Sequence, residues 1–260
     1  MKISQLTTYF YFFFFSISLW AQEPNYREKY SPDSLQSWTS KLMQAVAKGH
    51  PGMYRYTPKT SFDSLIQAQI LSIKDSLSTL EYYRKLKPLF AKIGCLHTSV
   101  NLSGPFQEYY EKKLKLIPIE IFIAENQKVY ITKDYSPHPK IPLKSELISI
   151  NGQTIPEILT ILYQAIPSDG YNRSLKTLLL NHRFAFWYQS MISTQDQFDI
   201  EVKVEGQVQK FQKQGVDKGV FPDIRQLEGL DQAQLTFEKR EDYAYLRIRS
   251  FAKSTIKKNG

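Results

Sequence analysis

The sequence predicts an α+β fold, and three observations carry that prediction. Between residues 31 and 94 the apolar side chains recur every three or four positions, which is the period of a helix buried on one side. From Thr98 onward the period shortens to two, as in half-buried strands. In Glu146-Leu147-Ile148-Ser149-Ile150-Asn151-Gly152-Gln153-Thr154-Ile155 a short apolar run meets Asn-Gly, residues that tolerate positive φ, and a helix start follows. The 260 residues are 42% apolar and 14% aromatic, enough to build cores, and the length suits one large domain or two to three small ones.

The first residues read as a leader rather than as part of the fold. Met1-Lys2 gives a positive start, an apolar run follows over residues 9–20, and Leu19-Trp20-Ala21 precedes Gln22 with a small residue at the cut. Residues 1–21 are therefore expected to be a signal peptide cleaved after Ala21. The run is shorter than the roughly 20 residues a spanning helix needs, so an uncleaved anchor is the less favoured reading. Export to the periplasm or outside the cell follows, with no stable membrane span after cleavage.

An N-terminal helical region is expected over residues 22–112. Ser31-Pro32 starts a helix striped by Leu35, Trp38, Leu42 and Val46, and His50-Pro51-Gly52 breaks it. Thr60 with Asp63 reads as a capping pair ahead of Leu65, Ile66, Ile70, Ile73 and Leu77. A third helix carries Tyr83, Leu86, Leu89, Phe90 and Ile93, bends at Pro88 and ends at Gly94. Thr98, Val100 and Leu102 alternate with polar residues like a strand.

A β-rich domain is expected over residues 113–216. Ile117, Ile119, Ile121 and Ile123 alternate, Val129-Tyr130-Ile131 follows a polar turn, and the two runs form a hairpin. After Asn151-Gly152, Thr154 serves as N-cap, Pro156 fits the first turn, and Ile155, Ile158, Leu159 and Leu162 stripe the helix. A long helix over residues 170–191 is inserted before the strands at residues 198–204 and at Val208 and Phe211, which Gly206 joins. Residues 217–260 begin with a loop and continue with two strands, at residues 235–238 and 243–248.

Several chemistries are excluded by pattern. The net charge of +9 is scattered along the chain without a stripe or an aromatic platform, so no nucleic-acid partner is expected. His50, His97, His138 and His182 show no i, i+3 or i, i+4 pairing, so neither a metal nor another cofactor is expected. Phosphate-binding glycine loops and the G-x-S-x-G elbow are absent. Cys95, the only cysteine, stands in apolar company and reads as a small core residue. His97 follows a helix end and precedes a strand, where an imidazole projects into a cleft as a base or bonds the backbone.

Five segments in one order carry a family resemblance: His50-Pro51-Gly52-Met53-Tyr54-Arg55-Tyr56, Cys95-Leu96-His97-Thr98, residues 145–155, Ile166-Pro167-Ser168-Asp169-Gly170-Tyr171-Asn172, and Tyr245-Leu246-Arg247-Ile248-Arg249-Ser250-Phe251. Together they resemble the N-terminal part of exported tail-specific (C-terminal-processing) serine peptidases with a tricorn-like core, of the type common in Bacteroidetes. The resemblance implies a helical region, a PDZ-like domain and the first strands of an α/β protease core over residues 217–260. It puts His97 at the position of a catalytic histidine.

The resemblance also implies that the nucleophilic serine and the oxyanion donors belong downstream of these strands. The chain as given is therefore expected to be truncated and unable to hydrolyse peptides. The usual Gly-rich carboxylate loop is replaced by Lys115-Leu116-Ile117-Pro118, and Lys144-Ser145-Glu146 stands where Gly-Asp is usual. The competing expectation is a non-catalytic periplasmic module that captures a polypeptide or peptide C-terminus on the edge formed by Ile117, Ile119 and Ile121.

Overall fold

The structure, a computed structural model, describes residues 27–222 and 235–248. It is α+β, with helices ahead of an antiparallel sheet and further helices in a connection between its strands. The expected signal peptide, residues 223–234 of the expected loop and the last part of the fifth resembling segment lie outside the described residues. Among the described residues, no helix is long and apolar enough to cross a membrane.

A two-stranded ribbon, β1 (Lys29–Tyr30) with β2 (Leu77–Ser78), ties the start of the chain to the start of its third helix. Helix α1 (Pro32–Gly49) begins on Ser31, whose hydroxyl accepts from the Ser34 amide. Its fully buried positions are Leu35, Thr39 and Met43; Leu35 is buried as expected, Leu42 and Val46 pack partly buried against the core, and Trp38 is 44% exposed. Thr39 tolerates burial because its hydroxyl donates to the Leu35 carbonyl at 2.7 Å and meets the Tyr82 hydroxyl at 2.9 Å.

Helix α2 (Lys59–Leu71) starts at Pro58 without a side-chain cap, and Leu65 faces out. The expected Thr60–Asp63 pair does not form there, because Asp63 takes the Lys59 ammonium instead. Helix α3 (Thr79–Lys92) opens on a capping box between Ser78 and Glu81, the latter accepting from the Ser78 amide at 2.8 Å. Pro88 lies inside it, and Gly94 follows the helix at φ +72°.

Residues 98–103 form no strand, contrary to their alternation, and an unforeseen helix α4 (Gly104–Lys113) follows. The carbonyl of Val100 is taken by the Lys87 ammonium at 3.0 Å rather than by a neighbouring strand.

The main sheet runs β3 (Ile119–Ile123), β4 (Val129–Asp134), β5 (Glu146–Ile150), β7 (Gln197–Val204), β8 (Gln207–Gln214), with the short β6 (Gln153–Thr154) paired to β5. All pairings are antiparallel. Asn151 (φ 51°) and Gly152 (φ 78°) make the β5–β6 turn as their residue types require. The Asn151 amide and side-chain oxygen also close two 2.8 Å bonds with the backbone of Asp199, locking the turn to β7. Leu116 and Val216 pair as an isolated bridge, which draws the two ends of the sheet region together.

Helices α5 (Ile155–Ala165) and α6 (Arg173–Met191) fill the connection between β6 and β7. Thr154 and Glu157 form the capping box, and Ile155, Ile158, Leu159 and Leu162 are buried. Helix α6 is capped by the Asn172 side chain and kinks at Arg183. Both helices pack with the sheet into one core that includes Ile121, Ile131, Leu162, Phe184 and Ile200.

A second core joins α1, α2 and α3 through Met43, Phe62, Ile66, Phe90 and Ile93. Arg84 of α3 crosses to the other part and donates to the Ser190 and Gln189 carbonyls at the end of α6. Strands β9 (Leu235–Lys239) and β10 (Ala244–Ile248) form a separate hairpin whose Phe237 and Leu246 are exposed.

Candidate functional site

Three chain segments far apart in sequence meet beside the C-terminus of α3. Gly94 leaves the helix in the left-handed region, so the chain turns at once into Cys95-Leu96-His97-Thr98. The turn is closed by the Thr98 amide donating to the Cys95 carbonyl at 3.2 Å. The loop between α5 and α6 comes from the opposite side. Gly170 donates its amide to the Gly94 carbonyl at 2.9 Å, and the Asp169 carboxylate accepts from the Leu96 amide at 2.8 Å. The third segment, residues 50–56, supplies Tyr56, whose ring lies against both glycines. The Tyr171 hydroxyl donates to the Tyr56 carbonyl at 3.0 Å, and the two rings meet edge to face.

Three of the five segments behind the family resemblance thus converge on one place. At its centre one ligand atom each from Cys95, His97 and Asp169 lies within 4.8 Å of the others. His97 and Asp169 are exposed, and Cys95 is half-buried. Cys95 is therefore not the enclosed core residue its apolar neighbours suggested; it touches the helical core on one side and faces the cluster on the other.

The Thr98 hydroxyl beside Cys95 holds the thiol below its ordinary pKa, aided by the backbone and ring of His97 and opposed by partial burial and the Asp169 charge. His97 thus has a cysteine and a carboxylate beside it, a candidate ligand set that the spacing of the histidines alone did not lead one to expect. Asp169 stands too far along the chain for a spacing rule to find. What points to it in the sequence is its place in Pro167-Ser168-Asp169-Gly170, a polar turn between two helices.

The arrangement has two chemical capacities. An exposed imidazole is a side chain suited to proton transfer. A thiol, an imidazole and a carboxylate at this separation also form a mixed ligand set for a metal ion.

Ile117, Ile119 and Ile121 are 0%, 1% and 2% exposed. Their side chains belong to the sheet core, so a peptide at this edge would meet the backbone of β3 and not these side chains. Part of that edge is already engaged, since the Ile123 amide donates to the Asn181 side chain of α6 at 2.8 Å. An open polar groove lies elsewhere, along Asn151, Gln195, Asp199 and Gln212.

No protein-family model matches the chain, and no curated protein does. Among solved structures it is similar to CPAF, at low values. A CPAF point mutant matches with a TM-score of 0.46 and 13% identity, and mature CPAF complexed with lactacystin with 0.46 and 12%. Mature CPAF alone matches with 0.41 and 10%. In each case 70% of this chain is covered and 34% of the other, so the chain spans about a third of the length of these structures.

Proposed function

We propose that this chain is the base-bearing front part of an exported serine peptidase of the tail-specific family. In this reading His97 is the general base, residues 113–216 are a PDZ-like module, and β9 and β10 open the protease core. The observation that carries it is the position of His97, exposed on a short turn that Asp169 braces from the other part of the molecule. His97 would take the proton of a serine hydroxyl as that oxygen attacks a peptide carbonyl, and return it to the leaving amine. The family resemblance assigns the serine and the oxyanion donors to the core that these strands begin.

The test is hydrolysis of unstructured model peptides by the 260-residue chain and by its His97→Ala variant. Equal background turnover is the expected result for a chain that carries the base without the nucleophile. Turnover abolished by His97→Ala would locate a nucleophile within these residues and overturn that division of labour.

A second reading, peptide capture without catalysis, is favoured by β3 being the terminal strand of its sheet. Asn181 already occupies the Ile123 amide, which shortens the backbone run a peptide strand could pair with. Peptide-induced amide shifts confined to β3 would support this reading, and an unperturbed β3 would exclude it.

A further inference from the structure

We propose that Cys95, His97 and Asp169 form a binding site for a divalent thiophilic metal ion, zinc above all, with the fourth position open to water. The three offered atoms lie within 4.8 Å of one another. Ligands of a tetrahedral zinc stand about 3.4–3.8 Å apart, given bonds of about 2.0–2.3 Å. A closing movement of about 1 Å is needed, which exposed His97 and Asp169 can supply by small side-chain rotations. Cys95 and His97 reach one ion because the turn at residues 95–98, closed by the Thr98 amide, brings alternate side chains together.

Asp169 is held in advance. Its Oδ1 accepts the Leu96 amide at 2.8 Å, the hydrogen bond that commonly orients a ligating carboxylate, and its second oxygen remains for an ion. The loop that carries it is fixed in turn by the Gly170–Gly94 backbone bond.

The donor set selects the metal. One carboxylate cannot replace the oxygen shell that calcium or magnesium requires, whereas sulfur and imidazole nitrogen suit zinc. A thiolate and a carboxylate together neutralise a divalent charge. Binding displaces the thiol proton of Cys95 to solvent and uses a neutral nitrogen of His97, so one proton is released per ion. Binding itself does not depend on the peptidase reading. Where both hold, an ion on His97 excludes its use as a base.

The experiment is titration of the reduced full chain with cobalt(II), followed by displacement with zinc(II). One equivalent of cobalt should produce a near-ultraviolet thiolate-to-cobalt charge-transfer band and visible bands of a four-coordinate ion, and zinc should abolish both. Cys95→Ser should remove the charge-transfer band. His97→Gln and Asp169→Asn should each weaken binding at least about tenfold. Asp169→Asn keeps an oxygen for the Leu96 amide, so the turn stays braced; unchanged circular dichroism without metal verifies this. Absence of the band in wild type overturns the proposal. So does wild-type affinity in His97→Gln and Asp169→Asn, which would mean an adventitious thiol contact only. These readouts are spectroscopic and unaffected by the outcome of the peptide-hydrolysis assay.

Discussion

Gly170 and Gly94 are joined by a 2.9 Å backbone hydrogen bond, and one ring, that of Tyr56, covers both. A Cβ on Gly94 would lie 2.7 Å from Tyr56 Cδ2, and one on Gly170 would lie 3.1 Å from Cε1. Both glycines have positive φ, at +72° and +58°. Gly94→Ala and Gly170→Ala should each cost the left-handed penalty of roughly 1–2 kcal/mol, and Gly94→Ala more because its clash is closer. Urea unfolding measures this. Adding Tyr56→Ala should recover only the steric share, so a Tyr56→Ala background that leaves the Gly94→Ala cost unchanged would refute the contact.

The ion pair between Lys213 and Asp134, 2.7 Å long with side chains 6% and 1% exposed, anchors residues 135–142. Asp134 also accepts the Ser136, Lys140 and Ile141 amides. Burial alone would raise its pKa, but the Lys213 ammonium and the Ser136 hydroxyl and amide together hold it below the ordinary value. Lys213→Met should lose about 3–5 kcal/mol by leaving the carboxylate buried and uncompensated. A depressed carboxylate contributes stability above its unfolded pKa and loses it as pH falls through the folded one. Asp134→Asn should therefore flatten the acid limb of the stability–pH curve, and an unchanged limb would refute the assignment.

Lys87 gives the same sign of slope at the alkaline end. It is 4% exposed, and its ammonium lies over the rings of Tyr83 and Trp187. Burial pushes its pKa down to about 8. Between that value and the unfolded value the unfolded chain holds more protons, so stability rises with pH. The whole gain is on the order of 3 kcal/mol, most of it above pH 8. Tyr83 and Tyr188, raised to about 12 by burial, reverse the trend above pH 10. Chemical denaturation at pH 7 to 10 should show the rise in wild type and not in Lys87→Met. Equal slopes would mean that Lys87 does not lose its proton in this range.

Asn181 on α6 holds the Ile123 amide. Asn181→Ala should leave that donor without its partner, at about 1–3 kcal/mol. Hydrogen exchange at Ile123 should accelerate more than at the β7–β8 amides. Uniform acceleration would point to global loosening instead of a local lost bond.

The parts of the fold set by neighbouring residues were legible in the sequence. Asn151-Gly152 required positive φ twice, and Thr154 with Pro156 announced a helix start; both features stand where expected. Features decided by distant partners were not. In α1, Thr39 joins the buried positions because Leu35 and Tyr82 satisfy its hydroxyl. Residues 98–102 alternated like a strand, yet Lys87 took the Val100 carbonyl instead. His97 was visible as a candidate, but its neighbour Asp169 depends on how the α5–α6 loop docks, which periodicity does not encode.

Helix α3 places Leu89 and Phe90 in the core of the helical part and lays Tyr83 against the core of the sheet. Neither core can lose this helix without exposing a flank of the other. Melting should therefore be shared, with heat unfolding the two parts in a single transition instead of peeling the helices away first.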